Sequence, residues 1–315
     1  MSLRVETPFF SYRGKRVTSR ITLLLLLALQ APIHALPVGS IESAFNVMQA
    51  MNMDAVENNA PKARRISAYY DKHMAAHQSP LSLKQQSTGD LQLLFNAAFL
   101  VDAYTFKENY LDHMRMDLDE LLRRGPVSDK LLLDFHASLI QARKFDEATA
   151  FRQRHPGLKL PELPRIVEQE REGPTALVLH EENGIRTLRR EALSVSDGLK
   201  ILVISHPRCH FSQYAVRDLM DDPVLGPVFR DHAVWLMPQD GDLALSSLER
   251  WNQDHPGAPL SIAYRESDWP VVTQWATPTF YVLDRGKLVG EVDGWPREGN
   301  RAALMAALKQ AGLLK

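Results

Sequence analysis

The sequence predicts an α/β fold for the C-terminal part of the chain and an all-α fold for the part before it. Between Ser40 and Pro156, apolar residues recur at helical spacing and no segment is typical of a strand. From Lys200 onward, short apolar runs alternate with amphipathic segments in the order strand, helix, strand, helix, strand, strand, helix. At 315 residues, the chain is long enough for two domains of about 100–200 residues each. We therefore predict a central mixed sheet flanked by helices, preceded by a helical domain.

Residues 1–35 have the pattern of an export signal. Five basic residues precede an apolar run at residues 21–29, and the small residues Ala31 and Ala35 follow it. The run is shorter than the roughly 20 residues that a membrane span needs. We expect cleavage after Ala35 and a periplasmic or secreted protein without stable membrane insertion; an uncleaved anchor is the alternative. The net charge of −1 gives no indication of a nucleic-acid partner.

Residues 36–156 are predicted to form a helical domain. Gly125-Pro126 is expected to end one helix, and Ser128 or Asp129 to cap the next. Residues 142–148 resemble the turn and second-helix start of a tetratricopeptide unit, but no sustained 34-residue period is present. We expect this domain to dock a protein partner or to dimerise. The acidic run at residues 117–120 is predicted to be a solvated helix face.

Residues 157–198 are predicted to be a linker followed by a β-hairpin. Three prolines lie within residues 156–164, a composition typical of a linker. Apolar segments at 176–179 and 185–188 flank Asn183-Gly184, which is typical of a two-residue hairpin turn. We expect this hairpin to pack on an edge of the sheet formed by residues 199–315.

The chain contains one cysteine, Cys209. Exported proteins usually pair their cysteines, so a lone thiol is either buried and inert, joined to another molecule, or kept for chemistry. Cys209 lies where the apolar run 201–204 turns into a helix that begins near Phe211. The unpaired N–H groups and the dipole of a helix start favour a thiolate, and we expect Arg208 and His210 to add positive or proton-sharing groups. A thiolate is the nucleophile in disulfide exchange.

A second motif follows about 70 residues later. Thr277-Pro278 precedes an apolar run at 280–283, a turn containing Gly286 and a second apolar run at 288–292. Together with Cys209, this motif resembles the thioredoxin superfamily over residues 199–315. The resemblance implies that the Thr277–Pro278 peptide bond is cis, that Pro278 lies beside the attacking Cys209, and that the Thr277 backbone binds an extended thiol-bearing peptide.

The sequence departs from the family pattern at two positions. Ser212 stands where the family has its second cysteine, and Arg208 where it commonly has tryptophan. Ser212 is expected either to bond the Cys209 thiolate or to cap the first helical turn. Without a resolving thiol, a mixed disulfide persists until an external thiol releases it. We therefore predict thiol–disulfide exchange through one cysteine, with protein thiols or disulfides or glutathione as partners and with no cofactor.

Three alternatives remain open at the level of the sequence. The first is a redox-inactive thioredoxin-like binding or scaffold module joined to a helical adaptor. The second is a resemblance of residues 209–212 to the Cys-Gly-Phe-Ser motif of monothiol glutaredoxins, from which His210 departs. The third is copper handling by His206, Cys209 and His210, whose ligand types suit a soft metal. Because no fourth ligand is evident in the sequence, no metal site is predicted.

Overall fold

The structure, a computed structural model, describes residues 40–54, 59–169, 171 and 173–315. The predicted export signal therefore lies outside the described residues. From Ser40 onward, the described residues belong to one compact unit. None of the described helices is long and apolar enough to cross a membrane.

The first part of the described chain is helical, as predicted. Serine side chains cap several of its helices: the Ser40 Oγ accepts a hydrogen bond from the Ser43 N–H at 3.1 Å. The predicted helix end at Gly125 and the predicted start after Ser128 are both confirmed. The α-helices described here are α1 Ile41–Met53, α2 Asn59–His73, α3 Pro80–Gln85, α4 Thr88–Thr105, α5 Glu108–Arg124, α6 Asp129–Gln141 and α7 Phe145–Arg154.

The acidic run on α5 is not the solvated face that the sequence predicts. Asp117 is fully buried and Glu120 is 8% exposed, whereas Asp119 is exposed. The Gln78 side-chain amide donates to Asp117 at 3.0 Å, and Glu120 accepts from Arg124 at 2.8 Å. The prediction was wrong for both residues: two arginines compensate the burial of Glu120, whereas one Asp117 oxygen accepts from Gln78 and the other is buried without a partner.

A mixed eight-stranded sheet follows the helical segment. Its order is β1-β3-β2-β6-β5-β4-β7-β8; β4, β5 and β6 run parallel, and β7 is antiparallel to β4. The strands are β1 Arg165–Val167, β2 Thr175–Glu182, β3 Ile185–Ala192, β4 Leu199–Ile204, β5 Ala233–Met237, β6 Leu260–Ala263, β7 Thr279–Asp284 and β8 Lys287–Asp293. The helices of this part are α8 His210–Asp221, α9 Leu225–His232, α10 Leu245–Asp254 and α11 Arg301–Gln310.

The predicted hairpin is confirmed as β2 and β3. Asn183 and Gly184 both have positive φ, 53° and 75°, as a two-residue turn with this twist requires. The hairpin joins the sheet through β6, which pairs antiparallel with β2 at Ala176↔Ala263 and Leu177↔Ile262. Neither β6 nor α9 was predicted. A four-residue strand that contains a serine and follows a proline carries too short a pattern to stand out.

Alternate residues of β4 belong to two separate buried clusters. Ile201 and Val203 lie in the cluster that contains buried residues of α8, α9, α10 and α11 and continues into the helical segment. Leu202 and Ile204 lie in a second cluster with Trp269, from the segment between β6 and β7. This burial on both faces explains the unbroken apolar run of β4 and fixes the position of the turn that follows it.

Hydrogen bonds from Arg143 connect the helical segment to the sheet. It lies between α6 and α7 with φ 60°, and its buried guanidinium donates to the carbonyls of Tyr264 and Ala263, each at 2.6 Å. Nearby, the Gln239 side-chain amide donates to the Gln141 carbonyl at 2.7 Å. These contacts place the end of α6 beside the loop that follows β5.

Candidate functional site

Cys209 lies at the N-cap of α8, immediately after the turn that follows β4. The Cys209 N–H donates to the His206 carbonyl at 2.9 Å and closes this turn. The sulfur is half-buried and donates to the Thr277 carbonyl at 3.3 Å. The structure therefore brings the cysteine and the Thr277-Pro278 motif together across 68 positions of sequence.

The peptide bond between Thr277 and Pro278 is cis. Pro278 is buried and immediately precedes β7. Two hydrogen bonds hold this segment: the Thr279 Oγ1 donates to the Ala276 carbonyl at 2.8 Å, and the Gly294 N–H donates to the Pro278 carbonyl at 2.9 Å. The Thr277 carbonyl is thereby held facing the thiol.

The pKa of the Cys209 thiol lies below its ordinary value. Burial raises this pKa, but hydrogen bonds that involve Thr277, the backbone and side chain of Ser212 and the Phe211 backbone outweigh burial and lower it. The backbone contacts come from the first turn of α8, where N–H groups have no partner within the helix. The largest effects that lower this pKa therefore come from hydrogen-bonding dipoles of the protein.

Ser212 occupies the position beneath Cys209 in the first turn of α8. Its side chain is fully buried, and its Oγ accepts a hydrogen bond from the His206 N–H at 3.3 Å. The hydroxyl therefore ties α8 to the preceding turn and also contributes to the low thiol pKa. The N-cap of α8 is Cys209, and the Ser212 Oγ accepts from an N–H of the preceding turn, so Ser212 does not cap the first helical turn.

Arg208 and His210 do not join this cluster. Arg208 is exposed, and its guanidinium is 2.6 Å from the Asp242 carboxylate. His210 is also exposed. Both exposed side chains therefore lie at the rim of the site.

The His206 ring is held away from a metal-binding arrangement. Its Nδ1 accepts from the Arg208 N–H at 3.2 Å, and its Nε2 is 3.6 Å from the Asp240 carboxylate. With Nδ1 as the acceptor, the neutral ring carries its proton on Nε2. Among the described residues, no group of three or more histidine, cysteine, aspartate or glutamate side chains is placed to hold a metal ion.

Three residues near the site were not singled out from the sequence. Phe211 presents an apolar ring that is 52% exposed beside the cysteine. Asp240 and Asp242 face His206 and Arg208 from the loop after β5. The sequence could have indicated the two aspartates. The strands β4 and β5 are parallel neighbours, so the residues that follow their carboxyl ends lie at the same edge of the sheet.

The site therefore consists of one accessible thiol with a lowered pKa, packed against a carbonyl that precedes a cis-proline. This arrangement suits a sulfur nucleophile that attacks from the N-terminus of a helix. Comparisons with protein-family models, with curated proteins and with solved structures found no match for this chain.

Proposed function

We propose that this protein is an exported, thioredoxin-like protein that carries out thiol–disulfide exchange through Cys209 alone. The observation that carries the proposal is the half-buried sulfur at the start of α8, 3.3 Å from the carbonyl that precedes the cis Pro278. The order β5-β4-β7-β8, in which β7 runs antiparallel to β4 and β8 runs antiparallel to β7, supports the same resemblance.

The reaction needs two exchange steps. In the first, the Cys209 thiolate attacks one sulfur of a disulfide in a protein or in oxidised glutathione. The original S–S bond breaks, the other sulfur leaves as a thiolate, and a mixed disulfide to Cys209 forms. In the second step, an external thiolate, either glutathione or a second client cysteine, attacks the mixed disulfide and releases Cys209 as a thiolate. Ser212 cannot perform this second step, so the co-reactant must come from outside the chain.

The pH dependence of alkylation tests this proposal. The rate of Cys209 modification by iodoacetamide, measured from a pH of about 5 to about 10, should follow a midpoint below the ordinary thiol value of about 8.5. The same chain unfolded in guanidinium provides the reference thiol, and Cys209→Ser provides the blank. A folded-state midpoint at or above the unfolded one, or no reaction in the folded state, would contradict the proposal.

Two buried serines at the same turn provide a matched pair of variants. Ser212→Ala removes a hydroxyl that lowers the thiol pKa, and it should move the alkylation midpoint to higher pH. Ser205→Ala removes a fully buried hydroxyl that has no hydrogen-bond partner, and it should leave the midpoint in place. Equal midpoints for the two variants would exclude Ser212 from the stabilisation of the thiolate.

The alternative function is a redox-inactive binding module, which is favoured by the lack of any second cysteine in the chain. The Cys209→Ser variant separates the two functions. Under exchange, disulfide-linked partners disappear from non-reducing gels of this variant. Under the binding module, noncovalent partner binding persists at full strength, and no linked partner is present in the wild-type protein either.

A further inference from the structure

A cavity of about 750 Å³ opens beside the reactive turn. Arg208, the residue before Cys209, forms one wall; we call this space the Arg208 cavity. Its other walls come from three parts of the chain: Ile140 near the end of α6, Leu163 in the linker and Ile185 at the tip of the hairpin. The cavity is therefore lined by the residue that precedes Cys209 in sequence and is completed by segments outside the strands and helices that hold the cysteine.

The walls of the Arg208 cavity combine apolar surface with charges that are already paired. Two leucines add to the apolar lining: Leu243 in the loop before α10, and Leu245, the first residue of α10. Arg208 is 2.6 Å from Asp242, and the Arg186 guanidinium at the mouth is 2.8 Å from the Glu249 carboxylate. Because each arginine of the lining has an acidic partner, the cavity offers no unpaired cation to an anionic ligand, and the apolar half of its lining suits uncharged side chains.

The position of the cavity beside the residue that precedes Cys209 points to a ligand that extends from the sulfur. Consecutive Cα atoms are about 3.8 Å apart, so an extended polypeptide joined to Cys209 by a disulfide reaches past Arg208 within about two to four residues. The cavity volume lies within the range of about 300–1,000 Å³ found for ligand pockets and accommodates several side chains. Glutathione, a small ligand with two carboxylates and an ammonium group, lacks the apolar side chains that this lining favours.

We propose that the Arg208 cavity binds apolar side chains of an extended client polypeptide, about two to four residues from the client cysteine that exchanges with Cys209. The inference rests on the proposed function, since it requires a mixed disulfide at Cys209. It assigns a role in client selection to the linker and to the hairpin tip. The glutathione-sized alternative is an outcome of the test.

The test compares three activated probes of known composition. Two are short synthetic peptides with one cysteine carried as a mixed disulfide with thionitrobenzoate, flanked on both sides by leucines in one peptide and by aspartates in the other. The third is glutathione activated in the same way. The rate at which Cys209 releases thionitrobenzoate is followed by absorbance at low probe concentration. The wild-type protein should react roughly tenfold faster with the leucine peptide than with the aspartate peptide.

Substitutions in the lining of the cavity test whether the preference for the leucine peptide arises there. Ile185 is 62% exposed, so Ile185→Glu should fold and should lower the ratio of the leucine-peptide rate to the glutathione rate by roughly tenfold. Leu163→Glu, which changes a different wall of the cavity, should lower the same ratio. Agreement between the two variants would show that the effect does not arise from a local distortion of the hairpin by Ile185→Glu. Leu81→Glu is the matched control, because Leu81 is 73% exposed on α3 and does not line the cavity; it should not change the ratio.

The possible results separate the two proposals. If none of the three probes releases thionitrobenzoate, the exchange function itself fails. If all probes react but the leucine and aspartate peptides react equally, or neither cavity variant changes the ratio, the cavity proposal is overturned while exchange stands. A rate with the glutathione probe that falls more than the peptide rate in the Ile185 variant would also overturn it, in favour of a glutathione site.

Discussion

At the scale of single residues, Asp117 is a carboxyl group that the helical segment holds in its protonated form. Burial raises its pKa to about 8, although a hydrogen bond from Gln78 lowers it in part. One Asp117 oxygen accepts the Gln78 amide at 3.0 Å, while the other oxygen and the Gln78 carbonyl oxygen are buried without a partner. A proton on Asp117 supplies the donor that this pair lacks. The neighbouring titratable groups are Tyr70 on α2, which interacts with this carboxyl, and His113 on α5, whose ring bonds the Tyr70 hydroxyl.

This arrangement sets the direction of a pH effect. Between a pH of about 4 and about 8, the native carboxyl keeps a proton that the unfolded chain has released, so the free energy of unfolding falls as pH rises. Above a pH of about 8, Asp117 no longer contributes to the pH dependence of the free energy of unfolding. Asp102 and Glu266, with pKa values raised by burial to about 7 and about 8, act in the same direction.

Asp117→Asn should therefore flatten part of the pH dependence. An asparagine can accept the Gln78 amide and donate to its carbonyl at any pH, so the variant should match or exceed wild-type stability at a pH near 8. Urea unfolding at several pH values measures this, with the exposed Asp119→Asn as the control. A variant that is less stable than the wild type at pH 8, with an unchanged slope, would show that Asp117 is ionised in the folded protein.

The residue scale also shows what the sequence could and could not predict. The placement of Cys209 at the start of a helix follows from a motif that is local in sequence, whereas the placement of Thr277-Pro278 beside it was implied only by the family resemblance. The partners of charged residues follow from neither, because they come from distant segments: Arg208 pairs with Asp242 across the sheet edge, and Gln78 reaches Asp117 from before α3. The acidic run at 117–120 was misjudged for the same reason.

At the scale of elements, the turn between α6 and α7 depends on Arg143. Its guanidinium is buried, and burial lowers the pKa of Arg143 to about 10. Arg143→Ala would leave the carbonyls of Tyr264 and Ala263 without their donors, and each loss is expensive inside the protein. We expect a loss of about 2–4 kcal/mol in the free energy of unfolding, measured by urea titration.

The adjacent residue provides the control for this prediction. Lys144 makes an ion pair with Glu108 at 2.8 Å, and both side chains are at least one-third exposed. Lys144→Ala should therefore change the stability by less than about 0.5 kcal/mol. Equal effects of the two substitutions would mean that the Arg143 contacts contribute nothing beyond a surface charge.

A second prediction at this scale concerns the loop after β5. A Cβ at Gly241 would lie 2.7 Å from the Ala137 carbonyl oxygen on α6, closer than packed atoms allow. Gly241→Ala should destabilise the protein by about 1–3 kcal/mol, because backbone must move to admit the methyl group. Gly157→Ala is the control, since a Cβ there meets nothing within 4 Å; thermal unfolding of both variants measures the difference.

The length of an element determined whether it could be predicted from the sequence. The hairpin β2–β3 and the pair β7–β8 carry alternating or apolar runs with clear turns, and they were predicted. The strand β6 has only four residues, and the helix α9 has eight. Both are positioned by tertiary packing, which a local pattern does not contain.

At the scale of the whole molecule, the helical segment and the sheet share one buried cluster. It extends from Met48 on α1 to Leu308 on α11 without a break at the proline-rich linker. A shared core favours unfolding in one cooperative step. The sequence alone suggests two parts here, because composition and proline content mark the linker but not the contacts made across it.

The distribution of tryptophan makes this cooperativity measurable. All five tryptophans lie between residues 235 and 295, so their fluorescence reports on the sheet part, whereas far-UV circular dichroism is dominated by helices. The two signals should give coincident urea transitions in the wild-type protein. A helical signal that is lost at a clearly lower or higher urea concentration would show that the two parts unfold separately.

The pairing of β2 with β6 makes the sheet narrow at its middle. Only two residue pairs join these strands, whereas β2 and β3 share eight and β4 and β7 share six. Strands joined by so few residue pairs are expected to separate before the others in thermal fluctuations, because the strands on either side keep their own hydrogen bonds when this short pairing opens. The backbone amides of this short pairing should therefore exchange with deuterium sooner than those in the middle of β4, even though both are buried.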